Sequence, residues 1–200
     1  MAIGARCRRH GGHMIHEWRS YRLKPGAAIP YLELLADHGL PFVSRHLPLV
    51  GYWLAETGPL NVIHHLWSYA DWAEREACRA ALAGEDQWVK GFIPKAFALV
   101  EEQQNRMLRL SSGSGLFQKA LGQRREPLPA REGGSPLFAG ECAVIVNGET
   151  DGESIAVFQP VSGGPCQPLS LLPRTPDPLA VECTGGSCPT VLRPLAFSRL

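Results

Sequence analysis

An excess of charge of either sign is missing from this chain: 20 Lys and Arg stand against 19 Asp and Glu in 200 residues, a formal net charge of +1. No one-signed field is available to draw the chain to nucleic acid or to an anionic membrane surface, so neither is an expected partner. No stretch approaches the roughly 18 apolar residues of a membrane helix, and no membrane span is expected. The apolar core of a secretory signal is missing too, which assigns the six cysteines to a reducing compartment rather than to a disulfide framework. Cys183 and Cys188 form the one close cysteine pair, and every histidine lies at or before His65, so no metal-ligand spacing emerges. The expected cofactor and metal complement is none. Neither GxSxG, a P-loop nor GxGxxG occurs. Arg6, Arg8 and Arg9, with no acid before Glu17, echo a mitochondrial presequence but lack its serine content and amphipathic length. Residues 1–13 read as a disordered leader, Met14 is a plausible start, and the expected location is cytoplasmic.

Trp and Tyr are absent after Trp88, and 12 of the 16 aromatic residues precede Ser111. The last 90 residues carry 23 Gly and Pro instead. The composition therefore divides the chain into a core-forming segment, 14–110, and an irregular Gly/Pro-rich extension, 111–200.

Within the first segment, Ile15 to Leu23 alternates as a strand. Lys24-Pro25-Gly26 turns the chain into a helix that carries Ala28, Tyr31, Leu34 and Leu35, with Gly39 as its C-terminal cap and Pro41 forbidding continuation. Val50 to Glu56 and Val62 to Tyr69 read as a β-hairpin across Thr57-Gly58-Pro59-Leu60. Asp71 and Glu74 have capping-box spacing before an alanine-rich helix. A further helix runs from Val89 to Gln103 with a kink at Pro94, and Asn105 to Leu110 alternates again as a fourth strand. In the extension, Cys142 to Val146 and Ile155 to Phe158 offer a local hairpin.

The order strand, helix, strand, strand, helix, strand predicts an α+β, ferredoxin-like βαββαβ domain. Two helices cover one sheet face, yet Trp18 opposes Tyr21 and Leu66 opposes Trp67, so neither face is polar. A second copy of the sheet is the simplest cover for the bare face, which predicts a homodimer.

The runs MIHEWRSYRLKPG from Met14, HGLP from His38, LVGYWLAETGPLN from Leu49, HLWSY from His65, AEREACRAALAG from Ala73 and QQNRMLR from Gln103 resemble the NipSnap family. The resemblance covers about the first 110 residues and implies a dimeric αβ-barrel. It implies no settled chemistry: members look like interaction or adaptor proteins, in mitochondria where the cell is eukaryotic. His64, Ser68 and the residues before Met14 depart from the family pattern. The closing phrase of shorter relatives is blurred at Leu108 to Phe117 (LRLSSGSGLF) and returns at the C-terminus as LRPLAFSRL, so 111–200 could also be a degenerate second copy.

Alternation places Glu17, Arg19 and Tyr21 beside His65, Trp67 and Tyr69 if the register puts them on one face, giving a pocket inside the half-barrel. Two readings of that set stand side by side. Arg19 would bind an anionic group, His65 and Tyr69 would supply protons or hydrogen bonds, and Trp67 would stack on a flat ligand. Alternatively, Glu17 and Arg19 neutralise each other and the aromatics are core. His64 and His65 point to opposite faces and cannot share a metal. The run Glu74, Arg75, Glu76, Arg79 reads as a solvated helix face. The function expected first is a binding or interaction protein for a small hydrophobic ligand or a protein partner. A small αβ-barrel enzyme, of the cofactor-independent monooxygenase or isomerase type, acting on a hydrophobic carbonyl or aromatic substrate, is the alternative.

Overall fold

The computed structural model describes residues 14–200 apart from 149, 151 and 182–187, so the expected leader lies outside the described residues. Eight antiparallel strands form one closed barrel: β1 (Ile15–Leu23), β2 (Leu49–Ala55), β3 (Val62–Tyr69), β4 (Val100–Gly113), β5 (Cys142–Asn147), β6 (Ala156–Ser162), β7 (Leu169–Thr175) and β8 (Thr190–Pro194). Around the barrel they run β1-β3-β2-β8-β5-β7-β6-β4. The fold is α+β, with the helices that link β1 to β2 and β3 to β4 gathered outside the strands of the first half. Among the described residues no helix is long and apolar enough to cross a membrane.

The extension differs from its expectation. Residues 142–194 supply four strands, and these cover the sheet face that a second chain was expected to cover. Their inward side chains, including Ala143, Ile145, Phe158, Leu171 and Leu192, pack with Trp18, Trp53 and Leu66 from the first half. Most of the glycine and proline falls between the strands, where tight turns need it. A side chain at Gly163 (φ 78°) would collide with the Asn105 carbonyl oxygen and would lie 3.2 Å from Arg106 Cα, so glycine is the residue that fits there. The anticipated local hairpin does not form, because β5 pairs with β7 and β8 while β6 pairs with β4 and β7.

The strand order has an internal repeat. The first four strands lie in the order β4-β1-β3-β2, and the last four in the corresponding order β8-β5-β7-β6. The second strand of each set meets the fourth strand of the other, at β2–β8 and β4–β6. The second set keeps the strand order, and among the described residues neither of its crossovers holds an α-helix. Only a three-residue turn, Pro178–Ala180, stands between β7 and β8 among the described residues.

The helices of the first half are α1 (Ala28–Leu34), α2 (Leu40–His46), α3 (Trp72–Ala83) and α4 (Ile93–Phe97). Gly39 does not end the first helix: a π-turn, Leu35–Gly39, carries it into α2. Pro41 has no N–H to return to the preceding turn, and the wider winding absorbs the missing bond. A second π-turn, Gln87–Phe92, leads into α4 ahead of Pro94 in the same way. The two π-turns pack together at Gly39, where an added Cβ would stand 2.6 Å from the Phe92 ring. Asp71 caps α3 by accepting the Glu74 N–H at 2.8 Å, and the Glu74 carboxylate accepts the Ala70 N–H. A last helix, α5 (Gly115–Gln123), inserts Phe117 and Ala120 into the barrel core.

Candidate functional site

The period-two alternation of β1 and β3 separates two chemistries. In the antiparallel register Ile15 faces Tyr69, Glu17 faces Trp67 and Arg19 faces His65, so all six candidate residues share one face. That face looks outward toward the helices, because Trp18 and Leu66, one residue along, fill the barrel. The expected pocket inside the half-barrel is thus displaced: the barrel interior is packed, and the cavity lies between the sheet and its helices. It measures about 350 Å³. Arg19, Tyr21, His65, Trp67 and Tyr69 line it, and Glu17 sits beneath, fully buried.

Tyr31 from α1, Tyr52 from β2, Trp88 from the second π-turn and Gln103 from β4 complete the polar and aromatic lining. The floor is buried at Tyr52, His65, Trp67 and Tyr69, while Arg79, Val89, Phe97 and Gln103 are exposed at the mouth. The cavity is therefore connected to solvent. Burial drives the Tyr31 and Tyr52 phenols well above their ordinary range, with neighbouring phenols adding to the effect, so both are neutral donors.

Glu17 is the electrostatic anchor. It accepts Arg19 Nη1 at 2.9 Å, Arg75 Nε and Nη2 at 2.9 and 2.8 Å, and Asn105 Nδ2 at 3.1 Å. Burial works to raise its pKa, but the Arg75 hydrogen bonds, the Arg19 charge and the Asn105 amide outweigh it and hold the carboxyl at about 2. One carboxylate thus faces two guanidiniums, and Glu76 pairs with Arg75 Nη1 at 2.7 Å, so the charges of the cluster balance. Arg75 corrects the solvated reading of its helix: it is 7% exposed and ties α3 to β1. The signal was in the spacing, since Arg75, Cys78 and Leu82 share one helix face and all three are buried.

Arg19 spends its donors on protein. Nε and Nη2 both reach Tyr21 Oη, at 3.2 and 2.8 Å, and Nη2 also reaches Gln103 Oε1 at 3.3 Å. His65 is fixed as a neutral ring. Trp67 Nε1 donates to its Nδ1 at 2.5 Å, so the ring proton resides on Nε2, which is buried without a partner among the described residues. Burial, then the Arg19 charge and His64, push its pKa well below the ordinary range. Tyr52 stacks on the imidazole at 4.9 Å and Tyr21 meets it edge-on at 4.8 Å. The Tyr69 hydroxyl is likewise buried and unpartnered. His64, on the opposite face, bonds Ser20 Oγ at 2.8 Å through Nδ1, to which Trp18 Nε1 also donates at 3.3 Å. No cluster of potential metal ligands occurs among the described residues.

Comparison with known proteins places this site in a family. The NIPSNAP family profile matches residues 16–114, which span β1 through β4 and every residue of the cavity. The chain is similar to human Protein NipSnap homolog 3A, 34% identical over 98 residues, covering 48% of this chain and 39% of that protein. It is similar to human Protein NipSnap homolog 2 at 31% over 97 residues, covering 48% of this chain and 33% of that protein. The match thus spans well under half the length of these curated relatives. Among solved structures, a NipSnap family protein of unknown function from Agrobacterium tumefaciens is 37% identical, with a TM-score of 0.50, covering 53% of this chain and 96% of that one. The chain belongs to the NIPSNAP family.

Proposed function

We propose that this NIPSNAP-family chain is a small-ligand-binding protein whose site is the cavity between β1, β2, β3 and the helices, and whose ligand is flat, mostly apolar and anionic at one end. The lining carries that reading: two arginines, four tyrosines, two tryptophans and no carboxylate surround about 350 Å³ open to solvent. Aromatic walls favour a flat ligand, and the Arg19 and Arg79 guanidiniums on a lining without a carboxylate favour an anion. An acid–base enzyme is the weaker reading, because the imidazole is held neutral well below physiological pH and the one nearby carboxylate is saturated by arginines.

The first half of the chain is read as a ferredoxin-like βαββαβ unit, a reading supported by its order β4-β1-β3-β2. The homodimer expected from a bare sheet face loses its argument, since β5 to β8 already cover that face, and the working unit is taken to be the single chain. Titration with naphthalene, followed by quenching of Trp67 and Trp88 fluorescence, tests the site. Saturable binding by the native chain, lost when Val43→Trp fills the cavity, is the expected result. Equal binding by both chains overturns the assignment.

A further inference from the structure

Taking the cavity as a ligand site, we infer that it selects a planar conjugated enol or phenol and holds it as its anion, with the single charged oxygen between the Tyr21 hydroxyl and His65 Nε2. The geometry argues against a carboxylate. A carboxylate is held best by the two-pronged edge of a guanidinium, but both prongs of Arg19, Nε and Nη2, are already spent on Tyr21 Oη. Nη2 serves Gln103 as well, and Nη1 serves Glu17, which leaves the group a single free N–H. Apart from Arg79, which stands exposed at the mouth, what remains free in the buried part of the cavity is a set of separate single donors. Tyr21 Oη accepts two Arg19 N–H groups, so its own proton is turned away from the guanidinium and has no acceptor among the described residues. His65 Nε2–H is buried and unpartnered, and its ring lies 4.8 Å from that of Tyr21. Two neighbouring donors suit one oxygen rather than a pair.

The charge acts through Tyr21. A phenol that receives two N–H bonds from a guanidinium is polarised toward donating its own proton, so Arg19 acts on the ligand oxygen through the Tyr21 hydroxyl. Tyr52, stacked against His65, and Trp67 extend flat apolar surface from that point, matching an anion whose charge is delocalised over a ring. No residue of the lining is placed to take up the ligand's proton: His65 Nδ1 already accepts the Trp67 N–H, burial and the Arg19 charge disfavour a second proton on that ring, and no carboxylate lines the cavity. Where the ligand binds as its anion, the proton therefore leaves to solvent.

Three probes of one shape separate the outcomes on the full chain: 2-naphthol, whose neutral and ionised forms differ in absorbance, together with naphthalene and 2-naphthoate. The expected result is that the phenolate binds at least about tenfold more tightly than neutral naphthol, seen as a fall of about one unit or more in the apparent pKa of the bound probe. Tyr21→Phe should shrink that fall by more than it weakens naphthalene, the comparison that separates loss of the hydroxyl from loss of the cavity. If naphthalene binds and 2-naphthol shows no shift, or if 2-naphthoate binds most tightly, the inference is overturned and the ligand site stands. Failure of all three probes to bind overturns both.

Discussion

Arg75→Met should destabilise the fold more than Arg19→Met, although both arginines contact the same carboxylate. Glu17 is fully buried and receives four N–H groups, two of them from Arg75 alone. Removing Arg19 leaves the Arg75 fork and Asn105 in place, so the loss is about one hydrogen bond to a charged group, roughly 1.5–3 kcal/mol. Removing Arg75 opens the fork, cuts the tie between α3 and β1 and leaves a buried carboxylate half-compensated, which costs on the order of 3–5 kcal/mol. Glu17→Gln should cost on the order of 3 kcal/mol, because Arg19 then loses its ion pair and Arg75 keeps only the largely exposed Glu76. Once Arg75 is gone, the same Glu17→Gln change strands only one guanidinium, so the pair should couple by about 2 kcal/mol in a double-mutant cycle. Urea unfolding of the four proteins measures it. Additivity within about 0.5 kcal/mol, or a larger loss from Arg19→Met than from Arg75→Met, would refute the assignment of Glu17 as the anchor. The pH dependence gives a second handle. The folded pKa of about 2 lies below the ordinary 4.5, so the unfolded chain takes up the proton first as pH falls. The stabilisation is complete above about 4.5 and is withdrawn as pH drops toward 2, a span worth roughly 3 kcal/mol that Glu17→Gln should abolish.

Other expectations can be checked on the same material. His16 and His64 are lowered from 6.5 to about 4 by burial, then by Arg124 and Arg106 respectively; the unfolded chain therefore binds protons first, and stability should fall as pH drops from about 6.5 to 4. A thermal-melt series with a flat response across that window would count against both histidines staying buried and neutral. Gly51→Ala should cost about 3 kcal/mol, since the new Cβ would run into the Trp53 indole inside the barrel; an unchanged urea midpoint would contradict the packing. Light scattering should find the full chain monomeric, whereas a chain cut after Gly113 uncovers Trp18, Trp53 and Leu66 and should dimerise or aggregate. Calorimetric titration with an aromatic anion should give one site per chain, because among the described residues the second half has no crossover helices to roof a cavity; a stoichiometry of two would refute the single-site reading.

Much of the first half was legible because its residues repeat at the period of the element they form. Alternation in Ile15 to Leu23 and Val62 to Tyr69 predicted β1 and β3 to the residue, and the same alternation put Glu17, Arg19 and Tyr21 on the face shared by His65, Trp67 and Tyr69. Which side that face looks toward was not legible. Both faces of β1 and β3 carry aromatics, and period two says only that they differ. Tyr31 and Tyr52 escaped notice for a related reason: each reads as an ordinary core aromatic on its own element, and only the packing of α1 over β2 brings both to one cavity. Gly39 and Pro41 misled in the other direction, since a helix can pass a glycine and a proline when a π-turn absorbs the missing hydrogen bond.

The second half was hardest to read because it forms one layer where the first forms two. A strand that is covered by helices outside and by barrel inside needs large side chains on both faces, and that demand places Trp and Tyr in β1, β2 and β3. Strands β5 to β8 must fill only the barrel interior, where Ala143, Ile145, Ala156 and Leu171 suffice opposite Trp18 and Trp53. Their outer face is closed by a much smaller cluster, Val144, Val146 and Leu172, with Val181 against it. No crossover α-helix stands in this half among the described residues, and its connecting segments are rich in glycine and proline, so the composition resembles that of a loose extension while the strand order repeats that of the first half. The same economy confines the site. A cavity between sheet and helices needs a roof, and only the half of the barrel that keeps its helices supplies one. The half that keeps them is also the half that carries Arg19, Tyr21 and His65.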